Sequence, residues 1–492
     1  MRSLGHAPAL VGEQRAAEAR AGASRAAVAW IAVAYAILGS TLIVTRLVGL
    51  HRSFWTDEVV TVTDYIRAGP REILAGPYIP NNHELYSILG WATSSLVGES
   101  EVNLRLLSAI PFLLGVLLVT AWLHRRLGAL SGVLFLFFAT ASPLLFDLSR
   151  QARGYGLAFL AMSVLIIAAL EAEQTARTRE LVVFFAAGLV GSLTLPNFGL
   201  AFIATAVSLL VAPALARRVV VGIAASTLVI ALWYAPHAGD LLDNSQQENG
   251  AQIGWLGLPA APIDDVLVPG VLWFSDTFLT TDPARFAVVA VAAVLLLSSP
   301  LLRNRTSALI ICSGTVATLF FICATQLYVA PRFVSYLLAP LFMLLATGTA
   351  HVLGTAKRRP GMRALCALLT IGVAASAFAG AASQLLRFPG EAWKDAAAFI
   401  EASESSDAPV VAYASRPQGL RYYLSGPVRQ LEASEVVATA CGNEQAVVFV
   451  MQPFEVQPVD IRCLRRDEVQ YFRFRQHSYG GEVGVWLVPA RG

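Results

Sequence analysis

The chain has 492 residues, of which 56% are hydrophobic and only 14% are charged. A soluble domain carries about 25% charged residues, so this chain lacks the polar side chains needed to cover a globule. The composition also excludes disorder, and the 5 cysteines are too few for a disulfide scaffold. The net charge of +3 gives no strong field for binding nucleic acid. We therefore predict a polytopic α-helical membrane protein.

Apolar stretches long enough to cross a bilayer recur along the chain, and we count about eleven of them. A spanning helix needs about 20 mostly apolar residues, because lipid offers no hydrogen-bond partner to a free backbone group. The predicted spans are 26–49, 104–123, 128–147, 155–171, 181–196, 198–215, 219–236, 284–301, 306–328, 333–353 and 363–385. The apolar segment 84–97 is shorter and broken by Ser and Gly, which favours an interfacial or re-entrant helix.

The basic residues of the short loops predict how the chain crosses the membrane. The basic clusters are Arg15–Arg25, His124–Arg126, Arg177–Arg179, Arg217–Arg218, Arg303–Arg305 and Lys357–Arg363. With eleven spans, all of them lie on one side, which we predict to be the cytoplasm, with residues 1–25 as a cytoplasmic tail. The first span has no clear cleavage site, so we interpret it as an uncleaved anchor. We expect a multi-pass protein of the plasma membrane.

The opposite side then receives two long loops, 50–103 and 237–283, and everything after residue 386. Long ordered loops are usually functional. Residues 387–492 regain charged and polar side chains and contain no apolar run of spanning length. Short β-rich runs and helix-like stretches predict a small extracytoplasmic α/β domain there. The β-rich runs are 409–413, 446–451 and 483–489, and the clearest helix-like stretch is 393–403.

Two of the five cysteines, Cys441 and Cys463, lie in this C-terminal domain. Its predicted location is oxidising, and no third cysteine is present there to compete for pairing. A Cys441–Cys463 disulfide is therefore a hypothesis, with two free thiols as the alternative.

Loop 50–103 carries two groups with chemical potential. Asp57 and Glu58 are adjacent carboxylates just past the first span. A partly desolvated carboxylate at a membrane surface becomes a better base, and a second ligand nearby would let it hold a metal. The alternative is a solvated loop in which Thr56 or Asp57 caps a helix. Further along, His83 could contact a phosphate or take a proton, unless it only follows an Asn-rich turn.

Arginines on the outer side contradict the usual distribution of charge and need partners. Arg153 and Arg150 follow Asp147, which is one partner; an anionic lipid phosphate is another. The alternative is a helical Asp147–Arg150 pair. Arg332 has no acidic neighbour in sequence, so it either clamps a phosphate or snorkels to lipid headgroups. Arg105, which opens the second span, is interpreted as a snorkelling side chain.

These groups share one side of the membrane, beside an apolar body able to hold a lipid. Such a polar centre suits a substrate with an anionic head and a long apolar tail, such as a polyprenyl-phosphate sugar. Two alternatives remain open: a transporter or flippase of a lipid-linked precursor, and a non-catalytic scaffold whose outer domain binds a ligand. Transporters usually place ionisable groups inside their spans, and here the spans are nearly free of charge. Convergence of Asp57 and Arg332 would favour the enzyme over the scaffold.

Several short motifs follow one another along nearly the whole chain. They are Trp55-x-Asp57-Glu58, Asn81-x-His83-x-Leu85-Tyr86, Leu104-Arg105-Leu106-Leu107-Ser108-Ala109, Ser142-Pro143 before Gln151-Ala152-Arg153-Gly154-Tyr155-Gly156-Leu157, Pro331-Arg332-Phe333, and Trp393-Lys394-Asp395-Ala396-Ala397. Their order resembles that of the GT-C-type glycosyltransferases, the polytopic lipid-linked-sugar enzymes that include protein mannosyltransferases and lipid A aminoarabinose transferases. The resemblance implies that residues 26–386 form a GT-C-like catalytic domain.

The resemblance also implies roles for individual residues. Asp57, with Glu58 beside it, would be the base that deprotonates an acceptor hydroxyl, which then attacks the sugar in a single inverting displacement. Arg153 and Arg332 would stabilise the phosphate of the donor. We further expect substrate contacts from a histidine, an aspartate and two tyrosines. These four residues are His83, Asp147, Tyr155 and Tyr328.

Two positions depart from the family pattern. Glu84 follows His83 where the family usually has His-Pro-Pro-Leu, and Gln151 stands where the family often has a glutamate. Gln151 cannot ionise, so a ligand or base is lost there unless Asp147 replaces it. We therefore predict no obligatory metal, with a divalent cation as the alternative. The implied partners are a polyprenyl-phosphate hexose or pentose, a glycan, lipid or protein acceptor, and membrane lipids, but no nucleic acid.

Overall fold

A computed structural model describes ten stretches of the chain. They are residues 28–79, 82–240, 291–325, 331–355, 392–403, 408–414, 418–441, 446–451, 470–475 and 482–488. The predicted span 363–385, Tyr328 and Cys463 lie outside these residues, as does most of loop 237–283, so those predictions stay untested. The described stretches comprise a large helical part and a smaller C-terminal part built on a β-sheet.

The helical part begins with a long apolar helix and continues with helices joined by short connections. Its helices are α1 (Val28–Leu47), α2 (Thr56–Val60), α3 (Pro70–Ala75), α4 (Glu84–Val97), α5 (Glu101–Leu127), α6 (Ala129–Ala141), α7 (Pro143–Leu148), α8 (Tyr155–Thr175), α9 (Thr178–Thr194), α10 (Phe198–Ser208), α11 (Ala216–Tyr234), α12 (Arg305–Thr325) and α13 (Leu338–Thr355). A π-helical turn, Thr61–Ile66, extends α2, and a 3-10 segment, Pro331–Leu337, leads into α13.

Five described helical segments are long and apolar enough to cross a membrane. They are Val28–Leu47, Glu101–Leu127, Tyr155–Thr175, Ala216–Asp240 and Arg332–Thr355. Three shorter apolar helices are Ala129–Ala141, Phe198–Val211 and Arg305–Phe321. These positions agree with the predicted spans, and the chain is a polytopic helical membrane protein. The predicted number of spans is not tested, because part of the chain lies outside the described residues.

Two predicted spans differ from the helices observed. The span predicted over 128–147 is two helices, because Pro143 lacks a backbone N–H and begins α7 while the Ser142 hydroxyl accepts a hydrogen bond from Leu145 N–H. The span predicted over 198–215 ends as an α-helix at Ser208 and continues as a short 3-10 turn. The segment 84–97 forms the 14-residue helix α4, which is too short to span, as predicted.

The core of the helical part lies where α5, α6, α8 and α13 pack together. A glycine allows α5 and α8 to approach closely, since a Cβ on Gly156 would lie 1.9 Å from the Ser108 carbonyl oxygen. The helices differ in how much surface they leave for lipid. In the most apolar stretch of the segment Arg332–Thr355, which contains α13, 83% of the residues are buried inside the protein. The corresponding share in α1 is 11%. Helix α13 is therefore central, and α1 lies at the periphery.

Three of the basic clusters predicted for the cytoplasm, His124–Arg126, Arg177–Arg179 and Arg217–Arg218, lie at one end of the described helices. Arg126, at the last turn of α5, pairs with Glu171 near the end of α8. Arg218 donates to the Thr178 hydroxyl at the start of α9, at 3.0 Å. Helix α5 has 27 residues and is about 40 Å long, so its Arg105 lies at the opposite end from Arg126. We call the end that carries Arg105 the site face.

The C-terminal part is a small α/β domain, as predicted. Its sheet has the order β2-β1-β3-β5-β4, with β1 parallel to β2 and β3, and β5 antiparallel to β3 and β4. The strands are β1 (Val410–Tyr413), β2 (Val428–Gln430), β3 (Val447–Met451), β4 (Gln470–Arg475) and β5 (Glu482–Val488). The helices are α14 (Trp393–Ala402), α15 (Gln418–Tyr423) and α16 (Ala433–Cys441). Strands β2 and β4 were not predicted from the sequence, because they carry exposed, charged side chains.

This domain rests on the site face of the helical part. The Tyr423 hydroxyl of α15 accepts a hydrogen bond from Phe54 N–H at 2.7 Å. Lys394 Nζ pairs with Glu101 Oε1 at 2.7 Å, at the start of α5. The Tyr422 hydroxyl donates to Glu99 Oε1 at 2.6 Å. These contacts connect the C-terminal domain to both ends of the loop that carries Asp57.

Candidate active site

A buried ion pair fixes the loop on which Asp57 lies. Arg105 donates from Nε to Glu58 Oε1 at 2.9 Å and from Nη2 to Glu58 Oε2 at 2.6 Å, and both side chains are buried. The same guanidinium donates to the carbonyl oxygens of Leu50, Arg52 and Ser53, between 2.7 and 2.9 Å. Arg105 therefore holds the whole turn between α1 and α2. The interpretation of Arg105 as a side chain that snorkels to lipid is wrong, because its guanidinium is buried in these contacts.

Glu58 also joins this turn to the segment that carries Arg153. Its Oε2 accepts from Trp55 N–H at 2.8 Å, and its Oε1 accepts from Ala152 N–H at 2.5 Å. With two further bonds from Arg105, the carboxylate has four donors and little capacity left for a ligand. These contacts favour a positioning role for Glu58. Its predicted part in the chemistry stays a prediction.

Asp57 lies at the meeting point of two arginines from distant parts of the chain. Arg153 Nη1 donates to Asp57 Oδ2 at 2.7 Å, and Arg332 Nη2 lies 3.4 Å from the same oxygen. The Asp57 and Arg153 side chains are buried, whereas the Arg332 side chain is about one third exposed, at 32%. The structure thus confirms that Asp57 and Arg332 converge.

Arg332 reaches this position from the 3-10 segment before α13. Its guanidinium carbon lies 5.8 Å from the Trp55 ring centre and 5.4 Å from the Phe333 ring centre. Arginine stacks on aromatic faces at such distances, which orients the planar group and leaves its edge for other contacts. The position therefore holds a cation beside Asp57 without burying it.

His83 supports Arg153 from the start of α4. Its Nδ1 accepts a hydrogen bond from Gly154 N–H at 2.9 Å, and its Nε2 lies 3.0 Å from Arg153 Nη2. Burial, and then the positive charges of Arg153 and Arg332, hold the pKa of His83 well below its usual value. The ring is thus neutral at physiological pH. A Cβ on Gly154 would lie 3.1 Å from His83 Nδ1 and 2.3 Å from Thr194 Cγ2, so this backbone approach requires glycine.

Several hydrogen-bond donors near Asp57 have no acceptor. The Tyr155 hydroxyl, Arg153 Nε and Arg332 Nε are buried and have no hydrogen-bond partner. Tyr155 interacts electrostatically with both arginines and with Asp57, and its ring packs at 4.8 Å against the His83 ring. Buried donors without partners are rare, because each has lost its water. Three of them beside two cations can receive an anion with several acceptor oxygens, such as a phosphate.

Asp147 lies apart from these groups. Its buried carboxylate interacts with Arg150 and Arg46, near the end of α1. Arg150 packs over the Phe146 ring at 3.9 Å and donates to the Val48 carbonyl. The predicted contact of Asp147 with substrate remains a prediction. Tyr328 lies outside the described residues, and its role is equally untested.

A second group of buried polar side chains lies next to His83, and the sequence analysis did not single it out. Glu84 Oε1 lies 3.2 Å from His237 Nε2, at the end of α11, and both side chains are buried. Two residues 153 positions apart give no local signal of this kind. Within the described stretches, no group of three or more His, Cys, Asp or Glu side chains could hold a metal ion. The prediction of no obligatory metal is not tested by this.

Comparison with known proteins places the fold. No family model and no curated protein matches the sequence. The chain is similar to the crystal structure of ArnT from Cupriavidus metallidurans in the apo state, with 15% identity, a TM-score of 0.54, and coverage of 94% of this chain and 98% of ArnT. ArnT bound to undecaprenyl phosphate gives 14% identity, a TM-score of 0.52 and the same coverage.

An archaeal protein has a similar structure. The oligosaccharyltransferase of Archaeoglobus fulgidus, solved in complex with Zn and sulfate, matches with 12% identity and a TM-score of 0.51 over 85% of this chain and 67% of its own. At such identities the likeness is one of fold, and it extends through the helical part and the C-terminal domain. The chain therefore has the fold of the GT-C-type membrane glycosyltransferases, whose motif order it resembles.

Proposed function

We propose that this protein is a glycosyltransferase that moves a sugar from a polyprenyl-phosphate donor to an acceptor hydroxyl, with inversion at the sugar. The observation that carries the proposal is the convergence of Arg153 and Arg332 on Asp57, with unpaired donors around them. The fold supports it, because ArnT has a similar fold and has been solved with undecaprenyl phosphate. We place the reaction on the extracytoplasmic face of the plasma membrane, in keeping with the distribution of basic residues.

In the proposed reaction the donor phosphate takes the two arginines as its counter-ions. The acceptor oxygen attacks the anomeric carbon, and the bond from this carbon to the phosphate oxygen breaks. The acceptor proton passes to Asp57, and polyprenyl phosphate leaves with its added charge stabilised by Arg153 and Arg332. A guanidinium that turns from Asp57 to the phosphate frees Oδ2 for the proton. The ion pair between Asp57 and the arginines thus keeps both partners in place for the reaction.

The alternatives explain less of this geometry. A scaffold has no need to bring Asp57, Arg153 and Arg332 together from positions 57, 153 and 332 of the chain. A flippase needs a polar path across the membrane, whereas the converging groups lie at the site face, with the apolar helices below. The identity of the sugar, and the choice between hexose and pentose, are left to experiment.

The test is transfer from a panel of radiolabelled donors. Purified protein is incubated with undecaprenyl phosphate carrying mannose, galactose or arabinose, and release of free undecaprenyl phosphate is measured with membrane extract as the acceptor source. We expect turnover of at least one donor, and a loss of about 10²-fold or more in Asp57→Asn. Wild-type turnover in a folded Asp57→Asn variant would exclude Asp57 as the base, and no turnover of any lipid-linked sugar would contradict the proposal.

A further inference from the structure

Buried polar atoms without hydrogen-bond partners gather at a second place on the site face. Both carboxylate oxygens of Glu84, both ring nitrogens of His237 and Nε1 of Trp233 are buried without a hydrogen bond of good geometry, although the Trp233 indole interacts with the Glu84 carboxyl. The Glu84 and His237 side chains are 0% and 1% exposed. A buried polar atom without a partner is costly, so five of them in one place call for an explanation.

These atoms lie around one centre. Glu84 Oε1 and His237 Nε2 are 3.2 Å apart, which is close contact without a hydrogen bond of good geometry. The Trp233 indole, one turn earlier on α11, interacts with the same carboxyl. Burial raises the pKa of Glu84 to about 8, against the opposing effect of Trp233. The carboxyl is thus protonated at neutral pH, and the group both donates and accepts hydrogen bonds without a net charge.

Aromatic rings line the same place. The Tyr78 ring lies 5.4 Å from the His237 ring and 6.5 Å from the Tyr234 ring. The Tyr78 backbone N–H donates to Asp240 Oδ2 at 2.7 Å, which ties the end of α11 to loop 50–103. A carboxyl, an imidazole and an indole N–H beside aromatic faces match a sugar ring, which offers hydroxyls that donate and accept together with an apolar face of C–H groups.

Tyr78 also connects this place to the candidate active site. Its side chain interacts electrostatically with Glu84 on one side and with Arg153 on the other. His83, which contacts Arg153, is the residue directly before Glu84. The two groups of polar residues are therefore neighbours with one aromatic ring between them, and a rotation of that ring would join them into a single site.

We propose that Glu84, Trp233 and His237 recognise the hydroxyl groups of the sugar that the donor carries, while Arg153 and Arg332 hold its phosphate. This rests on the proposed function and assigns the determinants of sugar specificity to a different set of residues. The alternative is that these three residues only hold α4 against the end of α11. Their substitution would then lower the stability of the protein without changing its preference among sugars.

The experiment compares two affinities in the purified full-length protein. One is for undecaprenyl phosphate alone, and the other is for undecaprenyl phosphate carrying whichever of mannose, galactose or arabinose the wild type binds most tightly. In Glu84→Gln and in Trp233→Phe, which retain side-chain size or ring packing, we expect the preference for the sugar-bearing lipid to fall about tenfold while the affinity for the bare lipid is unchanged. Asp64→Asn removes an exposed carboxylate from the same loop and should change neither affinity.

The outcomes separate the site from the proposed function. A wild type that binds neither lipid contradicts the proposed function, and the sugar site with it. A wild type that binds both lipids, with Glu84→Gln and Trp233→Phe changing both affinities equally or not at all, overturns the sugar site and leaves the proposed function standing. If Glu84→Gln does not fold, the same decision rests on Trp233→Phe, which removes the indole N–H together with the five-membered ring and keeps an aromatic ring at this position.

Discussion

Two adjacent carboxylates on one short helix have opposite surroundings. Glu58 is enclosed by four hydrogen-bond donors, whereas Asp57 faces two arginines that retain unpaired donor atoms. Neighbours in sequence on α2 point in different directions, so one side chain can hold the loop while the other faces the reaction space. The difference indicates that two adjacent acids at a membrane face can have separate roles: Glu58 positions the loop, and Asp57 faces the substrate.

Glu84 provides a third environment on the same loop. It is buried like Glu58, but neither of its oxygens has a hydrogen bond of good geometry, and its neighbours are His237 and Trp233 in place of an arginine. Burial raises the pKa of Glu84. The three acids therefore have different surroundings, and the first three of the following measurements test one acid each.

The largest effect on stability is expected for Arg105→Met, which leaves Glu58 buried without its cation. Breaking one partner of a buried pair costs about 3–5 kcal/mol of unfolding free energy. Thermal or denaturant unfolding of the purified protein measures it. The matched control is Arg67→Met, since Arg67 forms a surface pair with Glu99 and is 48% exposed; a loss of about 1 kcal/mol or less is expected there. Equal effects of the two substitutions would contradict the positioning role of Glu58.

A comparable effect, on rate alone, is expected for Arg332→Gln. The residue is partly exposed, so its loss should leave folding intact and remove one cation from the leaving phosphate. Turnover should fall about 10²–10³-fold, as for the loss of one contact that stabilises charge in the transition state. Arg71→Gln, which changes an exposed arginine of loop 50–103, should keep wild-type turnover. Unchanged turnover in Arg332→Gln would remove Arg332 from the proposed mechanism.

A smaller effect concerns pH and Glu84. Its pKa is raised from 4.5 to about 8 by burial, so the folded protein holds a proton that the unfolded chain releases. This contribution to stability is complete below the unfolded pKa and is lost as pH rises towards 8. Relative to Glu84→Gln, the wild type should therefore lose stability between about pH 5 and 8, by at most about 1.4 kcal/mol per pH unit. Parallel stability profiles of the two proteins would show that Glu84 is ionised in the fold.

The smallest effect is expected for Tyr423→Phe, which removes the hydrogen bond from Phe54 N–H to the Tyr423 hydroxyl and the longer bond that this hydroxyl donates to Glu101 Oε1 at 3.2 Å. The unfolding free energy should fall by about 1 kcal/mol. Turnover measured on the folded fraction shows whether the domain also positions Asp57. No change in stability would mean that water replaces the tyrosine at Phe54 N–H.

Much of the fold follows from the sequence, because a bilayer imposes long apolar runs that can be read directly. The prediction for 84–97 as a non-spanning helix rests on its short apolar run, on the Ser and Gly residues that break it and on the distribution of the basic clusters, and the structure agrees in length. The break at Ser142 was missed because both sides of Pro143 are apolar, and hydropathy does not register a lost backbone donor. Strand β4 was missed because its charged residues conceal the alternation expected of a strand.

The site was harder to predict, because its partners are distant in sequence. The sequence identified three isolated candidates: Asp57, Arg153 and Arg332. Only the fold shows that both arginines approach the same oxygen atom, Oδ2 of Asp57. Arg105 resembled a snorkelling residue because its partner Glu58 lies 47 positions earlier. Glu84 and His237 carry no local pattern at all. A buried pair such as Arg105–Glu58 can be distinguished from two solvated side chains only when the burial and the spatial neighbours of both residues are known.

The most direct test of the central claim compares Asp57→Asn with Glu58→Gln in one preparation, by unfolding temperature and by turnover of the donor that the wild type uses. We predict that Asp57→Asn is inactive even in its folded fraction, whereas Glu58→Gln keeps turnover in its folded fraction. Each substitution removes one partner of a buried ion pair, so both proteins should unfold at a lower temperature than the wild type. An Asp57→Asn protein that still transfers sugar at the wild-type rate would contradict the account.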